Sequence, residues 1–170
     1  MAITAKAPRG GVAEEINGES YTFLLRSREI ERFEDLHRGI FDVWDGFFGR
    51  GQKPTSLEVK DIVALALVGG VKADPDADRI VEQATPSDLF RFYQIAQAAL
   101  GVAFMPDAFD RAELKKKHDT GRRGSRLDVR KIIANGIVTG LKPNEIRDMI
   151  PRDVFVVFES WQKAHSPSKS

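Results

Sequence analysis

The stretch Thr55–Gly70, TSLEVKDIVALALVGG, decides the fold. Thr55 followed three residues later by Glu58 forms a capping box, in which each side chain meets the other's backbone N–H at a helix start. The helix is apolar over most of its second half, which predicts a central, buried helix. Gly69-Gly70 ends it, since glycine accepts the left-handed conformation that closes many helices. A phosphate-cradling loop would need its glycines before a helix, with a Lys-Ser/Thr partner, and neither is present.

Upstream, Val12–Leu25, VAEEINGESYTFLL, reads as a β-hairpin. Asn17-Gly18 suits a two-residue type I′ turn, whose central positions both need positive φ. Tyr21, Phe23 and Leu25 alternate with Thr22 and Leu24, so one face is expected to be buried. Ser27 then stands where a helix cap would, offering its oxygen to a free N–H of the first turn. From Ile30 to Phe48 the apolar residues recur at spacings of three, four and seven. They predict an aromatic-rich amphipathic helix with a break at Gly39 or Gly46. Most of that stripe should be core, with part of it facing a partner. His37 beside it reads as structural, and GRGQKP, residues 49–54, reads as a loop.

Downstream, ADPDADRIVEQA predicts a short helix with an acidic first turn. Asp74, Asp76 and Asp78 open like a calcium loop, but the central glycine and the glutamate at the twelfth position are missing. A longer helix should start at Thr85-Pro86-Ser87-Asp88 and stop before Pro106, and Asp107–Lys117 can form another. Residues 115–126, KKKHDTGRRGSR, have no apolar side chain and read as an exposed basic linker. Val129, Ile132, Ile133 and Ile137 make a further stripe, ended by Gly140. Pro143 and Pro151 each suit the first turn of a helix, where a missing N–H costs nothing. In the last helix Val154, Val157, Phe158 and Trp161 fall on one face.

The expected fold is therefore α+β, mostly α. A β-hairpin and a compact helical domain occupy residues 1–110, a basic linker 111–127, a small helical module 128–165 and a disordered tail 166–170. Charge follows the same division. Residues 111–170 hold 14 Lys and Arg against 7 Asp and Glu, leaving 12 against 18 in residues 1–110. Such an imbalance implies two modules with different partners, or two that attract each other. The opening MAITAKAPRG lacks an apolar core, so no signal peptide is expected. No apolar run reaches the ~18 residues of a membrane helix. The absence of cysteine excludes thiolate and disulfide chemistry and suits a reducing compartment.

Catalytic patterns are missing. The histidines stand at 37, 118 and 165, and no HExxH, CxxC, GxSxG or P-loop spacing occurs. The expectation is a protein that binds or assembles, with no enzymatic activity, cofactor or metal. Its candidate partner-binding residues are Phe33, Phe41, Trp44, Phe47, Phe48, Val154, Val157, Phe158 and Trp161.

Two parts of the chain resemble the tail assembly chaperones of phage-type tails, in the form found in gene transfer agents and prophages. One is INGESYTFLLRSREIERFED followed by VKDIVALALVGG; the other is GLKPNEIRDMIPRDVFVVFESW. Gly140, Leu141 and Pro143 match the family's turn, and Met149, Pro151, Arg152 and Asp153 match its step into an apolar helix. An aromatic common near Ile146 in relatives is absent here. The resemblance implies a protein that coats the tape measure protein through its first domain and recruits tail tube subunits through its extension. It also implies a site of action in the cytoplasm of a bacterial host and absence from the mature particle. Some such genes yield short and extended products by frameshifting, and Lys115–Lys117 is where adenine-rich codons would slip. A homo-oligomer stays open, and no membrane or nucleic-acid partner is expected. The alternatives are a DNA-binding protein, with residues 128–150 as a loose helix-turn-helix, and a structural tail or connector subunit retained in the particle.

Overall fold

A computed structural model describes residues 7–106 and 124–167. The chain is mostly helical, with one antiparallel hairpin at its N-terminal side. Strands β1 (Gly11–Ile16) and β2 (Glu19–Leu24) pair so that Ile16 lies opposite Glu19. Asn17 and Gly18 take φ of 52° and 82°, as a type I′ turn requires. Phe23, Leu25 and Ile16 are buried, and Tyr21 is half-buried. Full burial of a side chain such as Phe23 contributes about 1.5–3 kcal/mol before entropy is counted.

The long aromatic helix is two helices, α1 (Ser27–Leu36) and α2 (Ile40–Phe47). The break falls at Gly39, where an added Cβ would collide with the carbonyl of Ser125. That same carbonyl accepts from the Phe41 N–H at 3.0 Å, so an irregular segment from far along the chain crosses the break. Ser27 is not the cap of α1. Arg26 holds that position, and the Glu29 carboxylate accepts the Arg26 backbone N–H at 2.9 Å. The Ser27 hydroxyl is drawn away because it donates to the Met149 carbonyl.

Helix α3 (Ser56–Gly69) starts with the Thr55–Glu58 capping box. It packs against β2, α1, α4 (Asp74–Glu82) and α5 (Asp88–Phe104), which makes it the centre of the body. Its end differs from expectation. The left-handed residue is Val71, with φ of 76°. Lys72 N–H donates to Leu67 O and Val71 N–H to Val68 O, the two bonds of a Schellman closure. Gly69 and Gly70 serve packing instead: a Cβ on either would overlap a β2 carbonyl, that of Leu24 or of Thr22.

At the C-terminal side, α6 (Val129–Gly136) runs into a 3-10 turn, Ile137–Thr139, and Gly140 at φ 82° ends it. Helices α7 (Pro143–Asp148) and α8 (Pro151–His165) both begin on their prolines. A Cβ on Gly136 would lie 2.7 Å from Ile146 Cδ1 and 3.3 Å from Phe158 Cζ, so three elements converge on that glycine. The expected helix 107–117, the lysines at 115–117 and most of the basic linker lie outside the described residues, as do residues 168–170 of the expected tail.

Candidate interaction site

The two stripes expected to meet a partner divide by burial. Phe33, Trp44, Phe47 and Phe48 are buried, as is Val154. Their rings and branches fill the protein's own interior, as expected for most of the aromatic stripe, so as candidates for partner contact they offer no open face. Phe47 packs on Tyr93, and Trp44 on Phe48 and Phe104, with ring centroids 4.7–5.6 Å apart. Phe41 is half-buried and meets Phe104 at 5.4 Å. Phe104 in turn stacks on Phe155 at 6.4 Å, and this contact joins α5 to α8. Val157, Phe158 and Trp161 are half-exposed along α8, with Trp161 stacked on His165 at 4.3 Å. Of the nine candidates, these three and Phe41 keep accessible surface to offer. Phe104, Phe155 and Tyr93 complete the ring cluster; none is among the nine candidates, and only three-dimensional contact brings their rings together.

The structure also brings together a set of residues that the aromatic pattern does not mark. Ser27, Arg28, Glu31, Glu34 and Asp35 lie on one face of α1, and each bonds to the C-terminal segment. Ser27 reaches the Met149 carbonyl. Arg28 pairs with Asp148 at 3.0 Å, and Arg147 Nε sits 3.5 Å from Glu31. Arg130 forks onto Asp35 with two bonds of 3.2 Å. Glu34, only 8% exposed, accepts the backbone N–H of Ile40, Leu127 and Asp128. Arg126 adds a bond to the Glu34 carbonyl at 2.7 Å. The charge imbalance signals only part of this seam: Arg130 and Arg147 of the basic half meet Asp35 and Glu31 of the acidic half, whereas Arg28–Asp148 runs the other way. Leu127 and Val129 join the body's core beneath it, while Ile146, Ile150 and Val154 are buried outside that core.

Two charged clusters brace the body. Glu29, fully buried, takes Arg26 Nη2 at 2.6 Å and Nε at 3.0 Å. The hydrogen bond to Glu29 holds the Arg26 guanidinium above its ordinary value, against the opposing pull of burial. Burial pushes the Glu58 carboxyl up, but Arg38, with the Thr55 amide and hydroxyl, outweighs it and leaves it below its ordinary 4.5. His37 lies against Asp61 of α3 and tilts onto Phe33 at 4.7 Å, a packed position.

Among the described residues, no group of three or more His, Asp and Glu side chains could hold a metal ion. Nor is any helix there long and apolar enough to cross a membrane. Compared with family models, characterised proteins and solved structures, the chain matches none.

Proposed function

We propose that this chain is an assembly chaperone of the phage-type tail class, which binds the tape measure protein and recruits tail tube subunits by covering apolar helix faces. The observation that carries the reading is the stripe Val157, Phe158 and Trp161, which stands half-exposed on α8 beyond its anchor Val154. A helix that buries its first turns in its own protein and leaves the same stripe open further along offers a partner helix a ready apolar edge. The order of the hairpin, the Gly-Gly helix and the two proline-started helices supports the same class. In this reading the protein acts in the cytoplasm of a bacterial host and leaves before the particle is complete.

The residues of the loose helix-turn-helix are committed elsewhere, which favours a protein partner over DNA. Arg147 pairs with Glu31, Asp148 with Arg28, and Glu145 accepts the Lys142 N–H. The test is co-purification of the full chain with a long apolar helical fragment of a tape measure protein. Retention at high salt is expected. A salt-dependent gel shift of duplex DNA, with no capture of the fragment, would overturn the reading in favour of DNA binding. Stoichiometric presence in purified particles would overturn it in favour of a structural subunit.

A further inference from the structure

The α1 seam is unusual in its chemistry. An amphipathic helix ordinarily turns its polar stripe to water. Here Ser27, Arg28, Glu31, Glu34 and Asp35 form that stripe and are all engaged by residues 126–149. The opposite face, Ile30 and Phe33, fills the core. The centre of the body is built chiefly by contacts of α3 with β2, α1, α4 and α5. Val63, Ala66, Leu67, Phe92 and Ala96 are fully buried where α3 crosses α5. The segment contacts that body through α1, through the Phe104–Phe155 stack, and through Leu127 and Val129, which join its core.

We propose that residues 124–167 close on the body as a reversible, salt-sensitive clasp latched at Glu34. This inference is independent of the assembly-chaperone reading and holds whatever partner the chain has. Three features support reversibility. The ion pairs Arg28–Asp148, Arg130–Asp35 and Arg9–Asp153 are all substantially exposed, so water and salt compete for each partner. The polar groups released on opening are backbone N–H and C=O groups, carboxylates, guanidinium groups and the Ser27 hydroxyl, all of which water can satisfy. Of the seam's two buried polar side chains, Ser27 and Glu34, it is Glu34 that ties the clasp to the start of α2 through the Ile40 N–H, so latch and helix break are one device. Opening uncovers Leu127, Val129 and the body surface beneath them, which are buried while the clasp is closed.

The test uses the full chain, and the absence of native cysteine makes a single introduced thiol an unambiguous reporter. Val129→Cys reports on the seam and Val63→Cys on the centre of α3; both positions are buried. Maleimide labelling at position 129 should rise about tenfold between ~0.05 and ~0.5 M NaCl, while labelling at position 63 stays flat. Adding Glu34→Gln should raise labelling at 129 at low salt, because an amide offers its N–H₂ where the site presents N–H donors. Gly39→Ala is a second wedge, since its methyl collides with Ser125, and should act in the same direction. Equal labelling at both positions, or a rate at 129 that ignores salt, would overturn the clasp. So would global unfolding by both Glu34→Gln and Gly39→Ala, since the seam would then be inseparable from the core.

Discussion

Ser27 donates twice to the carbonyl oxygen of Met149, from its backbone N–H at 2.8 Å and from its hydroxyl at 2.9 Å. Two residues 122 positions apart are thus fixed at the point where α1 begins and α7 ends. Ser27→Ala removes one of the two donors and leaves the acceptor served, so the cost should be about 1 kcal/mol in a urea titration. The location of the effect is the sharper prediction. Hydrogen exchange should increase in residues 124–150, with the first turn of α1 unchanged. Fraying of α1 alone would show that Ser27 acts as a cap after all.

Glu58 gives the fold an acid-side dependence. Its carboxyl sits below the ordinary 4.5 because Arg38 and Thr55 outweigh the effect of burial. A group depressed in the folded state contributes stability above its unfolded value and loses it as pH falls through the folded value. The urea midpoint should therefore fall as pH drops from about 5 to about 3. Glu58→Gln should start lower at pH 7 and lose less across that window. Parallel curves for the two proteins would remove Glu58 from the explanation.

Val71 occupies the left-handed closure of α3 with its side chain 94% exposed. A β-branched residue there is strained by about 1–2 kcal/mol, and it has almost no packing to lose. Val71→Gly relieves the strain at some cost in chain entropy, for a net gain of about 0.5–1 kcal/mol. Thermal and urea midpoints should both rise. An unchanged or lowered midpoint would mean that the Schellman closure is not strained.

These three sites mark what the amino-acid order discloses and what it conceals. Asn17-Gly18, the Thr55–Glu58 box, Pro143 and Pro151 act through their immediate neighbours, so their elements could be read directly. Ser27 looks like a cap by the same local rule, yet its hydroxyl goes to a residue that no window contains. Gly69-Gly70 looks like a helix stop, but the glycines clear space for β2 and the left-handed turn falls one residue later. The aromatic stripe of α1 and α2 showed a helical period without showing how many neighbours would cover it. Phe33, Trp44, Phe47 and Phe48 vanish into the interior because α3 and α5 close over them. On α8 the same ambiguity resolves along the helix, with Val154 covered and Trp161 half open.

That gradient separates partner contact from folding. One edge of the half-exposed Phe158 ring packs over Gly136 beside Ile146, so Phe158→Asp places a charge against the contact of α6, α7 and α8 in the C-terminal unit. It should destabilise that unit by roughly 2–3 kcal/mol as well as weaken recruitment. Trp161 lies three residues further along the same face, with His165 as its ring neighbour. Trp161→Asp should leave the thermal midpoint nearly unchanged and still reduce capture of the partner helix about tenfold or more, as loss of a half-exposed aromatic anchor does. Pull-down of a tube or tape measure fragment, run beside thermal denaturation of both variants, decides the matter. If Trp161→Asp melts like Phe158→Asp, the distal stripe is interior and the chain recruits by another surface. If it melts normally and still captures its partner, the stripe is exposed but not the contact, and Phe41 becomes the residue to change next.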